Sequence, residues 1–200
     1  GLPPFIADSL PDKWGSLVFE CWAKENNIRS KDITPVDKLA YIGSRGMGAL
    51  EFRPAVGLSA IPGELALSSL YSLAQRIFEE RVDVMVLPEE SLTLQSLYSI
   101  GTSAGGKHPK AIIAIHNETQ EIRSGQIDFG ADYTYYILKF SETDWFPYTL
   151  VEQAYYEMAK AIGIRMMPSR LVEIDGKKHF LTERFDRQRG KRIHTQTLAA

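Results

Sequence analysis

Apolar residues recur at helical spacing through Trp14, Leu17, Val18, Cys21 and Trp22, which predicts an amphipathic helix with one buried stripe. Ser9 or Asp8 offers its cap, and Pro11 falls near its first turn. "TPVDKLAYIG" (34–43) predicts a second, short helix, with Thr34 as N-cap, Pro35 at the first helical position and Gly43 as the stop. "GALEFRPAV" (48–56) reads as a short strand ending at Pro54. Residues 55–65, with Gly57, Pro62 and Gly63, read as a loop. "LSSLYSLAQRIFEERV" (67–82) is the clearest amphipathic helix of the first half, and "EESLTLQSLYSIG" (89–101) is another, stopped by Gly101.

The period changes at Gly101. "KAIIAIH" (110–116) is an apolar strand, "EIRSGQ" (121–126) its hairpin partner, and "YTYYILKF" (133–140) a third strand. "TLVEQAYYEMAKAIG" (149–163) is a helix closed by Gly163. "SRLVEIDGKKHFLTERF" (169–185) is two strands around an Asp-Gly turn. The expected fold is α+β: a mostly helical N-terminal subdomain over 1–100, then over 101–200 an antiparallel sheet with one helix. The order of glycine-rich loop, strands, glutamate-bearing helix and two further strands is that of a protein-kinase-like small lobe.

Composition adds limits. The chain is 44% hydrophobic and 24% charged, ordinary for a globular protein with a real core. A net charge of -2 gives no support for bulk nucleic-acid or membrane affinity and leaves a local basic patch open. Cys21 lacks an internal disulfide partner and reads as a buried thiol, which fits a reducing compartment. With no membrane-length apolar run and no basic-apolar leader, a cytoplasmic location is the default expectation. The opening "GLPPFIADSLPDKWG" and the closing "IHTQTLAA" both look cut, and the chain is expected to be a piece of a longer protein.

Candidate chemistry starts at "TSAGGKHPKAIIAIH" (102–116). Gly105 and Gly106 permit close backbone approach to phosphates, and Lys107 and Lys110 add positive charge. The motif is neither a Walker loop nor G-x-G-x-x-G, so a plain turn remains an alternative. His108 reads as a surface loop histidine. Lys139 sits on a strand where a kinase places its nucleotide lysine, or is a solvated edge lysine. Glu152 is either that lysine's ion-pair partner or an acid near a helix N-terminus. "ERFDR" (183–187) is either a hinge or a salt-bridged strand end.

Taken together, "FIADSLPDKWG", "SAGGKHPKA", "EQAYYEMAKAIGI" and "TERFDR" resemble, in order, motifs of the HipA family of bacterial serine/threonine kinases, toxins paired with HipB-type DNA-binding antitoxins. The resemblance implies an ATP-dependent, Mg2+-assisted kinase. ATP phosphates would lie at the 103–110 loop and Lys139, adenine at the main chain of Glu183 and Phe185, and autophosphorylation at Ser103. It implies a HipB-like antitoxin and a protein substrate from the translation machinery as partners, with no direct nucleic-acid or membrane contact. The family's catalytic aspartate, its asparagine and its metal-binding aspartate would lie beyond Ala200. No catalytic residue and no metal ligand is therefore expected here, and the chain is expected to be inactive by itself. Two alternatives stand beside this: a non-catalytic module that docks an antitoxin or partner chain, and a small-molecule kinase on the same fold.

Overall fold

Thr34 and Asp37 illustrate how locally the helices are set. The Thr34 hydroxyl accepts the Asp37 N–H at 3.3 Å while the Asp37 carboxylate accepts the Thr34 N–H at 2.8 Å, a reciprocal capping box. Helix α3 (Pro35–Ile42) starts there and ends at Gly43, whose φ of +56° suits glycine. The computed structural model describes every residue except 57, 59–62, 82–83, 103, 143–145, 189 and 199–200. Within it lie α1 (Pro4–Ala7), α2 (Lys13–Glu25), α4 (Leu67–Glu80), α5 (Ser91–Ile100) and α6 (Tyr148–Ala161).

Two local expectations are corrected. Helix α2 is capped by Asp12, which accepts the Lys13 N–H at 2.8 Å. Neither Ser9 nor Asp8 caps it, because residues 4–7 form their own short turn of helix and Pro11 falls outside α2. The stretch 48–56 is not a strand. Its main-chain groups bond elsewhere: Phe52 N–H to the Gly43 carbonyl, Val56 N–H to the Ala40 carbonyl, and Gly48 N–H to the Asp186 carboxylate.

The second half is a five-stranded antiparallel sheet in the order β2-β1-β3-β5-β4. The strands are β1 (Lys110–His116), β2 (Ile122–Ser124), β3 (Tyr133–Lys139), β4 (Ser169–Ile174) and β5 (Lys177–Glu183). A small hairpin of β6 (Arg187–Gln188) and β7 (Lys191–Arg192), which the sequence does not announce, follows. An isolated bridge from Glu64 to Arg123 runs along the outer edge of β2.

One buried cluster joins the two halves. Trp14, Leu70, Leu73, Ile77, Leu97 and Ile100 from the helices meet Ala111, Ile113, Leu138, Phe140 and Leu181 from the sheet, and each fully buried aliphatic side chain contributes about 1.5–3 kcal/mol. Strand β1 is buried on both faces, which explains its unbroken apolar run. Gly125 is obligatory there: a Cβ would come within 2.8 Å of the Ile113 backbone. Because side chains alternate along a strand, Leu138 enters the core and Lys139 turns to the opposite face, where α6 packs on β4 and β5. The fold is thus α+β, a helical N-terminal part followed by a sheet. Among the described residues no helix is long and apolar enough to cross a membrane. Cys21 is buried, and burial, with Glu20 nearby, pushes its thiol up to about 11.

Candidate functional site

The glycine loop runs from the end of α5 to β1, and the first turn of α2 holds it. Gly106 N–H donates to Asp12 Oδ2 at 2.8 Å, and the Gly106 carbonyl accepts the Trp14 N–H at 3.1 Å. Trp14 Nε1 donates to the Lys110 carbonyl at 3.0 Å. Gly106 has φ +116°, and a Cβ there would stand 3.2 Å from Lys110 Nζ, so the lysine head group lies directly against the glycine. Gly105 and Lys107 are exposed. Ser103 lies outside the described residues.

Strand register then brings two lysines together. Lys110 and Lys139 are direct cross-strand partners on β1 and β3, so their side chains share the face that carries α6. Lys139 Nζ pairs with Glu152 Oε2 at 2.5 Å and lies 5.6 Å from the centre of the Phe180 ring. Lys110 is buried, and its Nζ donates to the His108 carbonyl at 2.5 Å. Among the described residues it makes no ion pair. Burial, and then the Lys139 charge, lowers Lys110 to about 8. His108 is not a free surface residue: its Nδ1 meets the buried Glu142 carboxyl, and its ring packs 4.6 Å from that of Tyr148. Burial raises the Glu142 carboxyl, and His108 opposes that shift.

The "ERFDR" stretch turns inward. Glu183 N–H bonds the Pro168 carbonyl at 2.9 Å and Arg184 N–H the Tyr135 carbonyl at 2.8 Å. The Arg184 and Asp186 side chains are fully buried and paired through two bonds, 2.9 and 2.7 Å. Asp186 also accepts the Gly48 N–H at 2.7 Å and Arg187 at 2.7 Å, and Arg187 reaches the Gly46 and Gly48 carbonyls. Burial alone would raise the Asp186 carboxyl, but Arg184, the Gly48 N–H and Arg187 together hold it below the usual range. Arg184 Nη1 has no partner among the described residues. So the charges of this stretch make a buried salt-bridged strand end, while Phe185 between them is 49% exposed.

Phe185 and Gly105 line one cleft of about 240 Å3, together with Leu10, Asp12, Met47 and Thr195. The cleft joins the glycine loop to the end of β5. Gly106, Lys107, Lys110, Lys139, Glu152 and Glu183 do not line it, and Glu183 borders a separate groove with Tyr135 and Arg187. The sequence reading passes over Asp12. An aspartate just before a helix is a legible cap signal, but its loop partner is 94 residues away. The Lys110–Lys139 register leaves no local trace either.

Two family models match: the HipA N-terminal domain over residues 1–53 and the HipA-like C-terminal domain over residues 102–200. The chain belongs to the HipA family. No curated protein matches it. In this HipA chain the two matched stretches meet where Asp12 and Trp14 of the first hold Gly106 and Lys110 of the second. They meet again where Gly46 and Gly48 of the first bond Asp186 and Arg187 of the second.

Proposed function

We propose that this chain carries the nucleotide-binding part of a HipA-type serine/threonine kinase toxin, its sheet and α6 serving as a kinase-like small lobe over residues 101–200. ATP phosphates bind at the 103–110 loop and Lys139, and adenine lies at the main chain of Glu183 and Phe185. The observation that carries this reading is the Lys110–Lys139 pair against Gly106. Burial first and repulsion from Lys139 second lower Lys110, opposed by Asp12, Glu142 and Glu152, and among the described residues Lys110 makes no ion pair. A polyphosphate relieves that repulsion, and a lysine point charge suits shared phosphate oxygens. The Lys139–Glu152 pair orients the second lysine.

As the resemblance implies, the reading assigns Mg2+ no ligand in this chain. It assigns the chain binding and orientation, not the proton transfer of phosphoryl transfer. Phosphorylation of Ser103, a HipB-like antitoxin and a translation-machinery substrate belong to the same proposal through family membership. A loop serine carrying about -1.5 to -2 charge would draw on Lys107 and Lys110 in competition with nucleotide.

Hydrogen exchange of the chain with and without ATP is the test. Protection of residues 104–110, lost in Lys139→Ala, is the expected result. A second reading, a non-catalytic binding module, draws on the exposed Tyr155 and Met158 of α6 and on the exposed Ile162 that caps its end. ATP-independent exchange throughout the loop would favour it.

A further inference from the structure

Three nearby residues at the start of α2 grip the glycine loop. Asp12 takes the N–H of Gly106, and Trp14 takes its carbonyl and also the carbonyl of Lys110. Gly15 lets the loop's root approach so closely that a Cβ would stand 2.6 Å from the Thr102 carbonyl oxygen. Asp12 is the hub. One carboxylate oxygen caps α2 through Lys13 N–H and the other accepts Gly106 N–H, each at 2.8 Å. Serine and asparagine are good caps in general, but neither has two acceptor oxygens on one rigid group. The double duty accounts for an aspartate at this position. The same carboxylate lines the cleft that joins Gly105 to Phe185.

We propose that Asp12 is a positioning residue for phosphate binding: it fixes the glycine loop over Lys110 by holding the Gly106 N–H, so that the helical half sets the geometry of the nucleotide site. This rests on the nucleotide reading above. Asp12 touches no phosphate. It turns the Gly106 peptide toward α2 and so keeps the glycine against the Lys110 head group. A carboxylate-to-amide bond is charge-assisted and among the stronger hydrogen bonds, so its loss frees the Gly106 N–H while the two Trp14 bonds and the core beneath stay in place.

The test compares wild type with Asp12→Ser, which keeps a cap for Lys13 and gives up the loop, and with Asp12→Asn, which has one acceptor oxygen to divide between them. Two quantities are read: amide exchange at Gly106 without nucleotide, and binding of ATP beside adenosine. The expected result in Asp12→Ser is Gly106 exchange faster by about tenfold or more, ATP affinity down about tenfold, and adenosine affinity unchanged. Asp12→Asn is expected to fall between it and wild type. A general loss of folding would instead weaken ATP and adenosine together, and that result overturns a positioning role. Unchanged Gly106 exchange in both variants overturns the contact itself. Wild type that binds no ATP removes the nucleotide reading and this role with it, while the exchange data still judge whether Asp12 holds the loop.

Discussion

Lys110 is a buried cation held beside another cation, an arrangement that costs stability and that the proposed phosphate binding would offset. Replacing it tests that trade directly. Lys110→Met keeps the length of the side chain and removes the charge, so the melting temperature is expected to stay or rise while ATP affinity falls at least about tenfold. A parallel loss of both, read by thermal melts and calorimetric titration, contradicts a binding role. Asp186 is the opposite case. It lies between Arg184 and Arg187 and accepts the Gly48 N–H, so Asp186→Ala strands buried charge and is expected to cost about 3–5 kcal/mol in denaturant melts. Its lowered carboxyl also fixes a sign with pH. The stabilisation is complete above the ordinary carboxylate range and is lost as pH falls through the lowered folded value.

The elements whose signals are local were legible in the sequence. Thr34, Pro35 and Gly43 mark α3 within ten residues, and Thr34→Ala is expected to cost about 1 kcal/mol, measurable in the same melts. The run 110–116 could be read as a strand because its burial on both faces is written in its composition. The stretch 48–56 misleads for a physical reason. Leu50 and Phe52 alternate as a strand would, yet Phe52 and Val56 bond back to Gly43 and Ala40, and Gly48 is satisfied by Asp186 and Arg187, more than 130 positions distant. The site divides the same way. Lys139 and Glu152 follow from element order, whereas the Lys110–Lys139 pairing needs strand register and the Asp12–Gly106 bond needs the docked halves. Asp8, Ser9 and Asp12 are equally good caps on paper, and only packing chooses among them.

Across the whole molecule one buried cluster spans both halves, so unfolding is expected as one transition by far-UV and aromatic signals alike, and separated midpoints would contradict a shared core. The proposed nucleotide site should also report on solvent pH. Lys110 is lowered from 10.5 to about 8 by folding, so its protonated form is disfavoured in the free protein, and phosphates restore it. Binding then takes up a proton above pH 8. ATP affinity is expected to be flat from this group below pH 8 and to fall by about tenfold per unit above it, as read by titrations at pH 7, 8 and 9. An affinity that rises over that range would remove Lys110 from the phosphate site. The clamp between residues 46–48 and 184–187 bears on gene fusion. Gly48 has φ +77°, a Cβ there would stand 2.6 Å from the Thr195 hydroxyl, and its N–H ends on Asp186. A hybrid that grafts the first hundred residues of one homologue onto the second hundred of another inherits two half-clamps made by different ancestors. Crossovers that carry 46–48 and 184–195 as one block should yield working hybrids where those that split them do not.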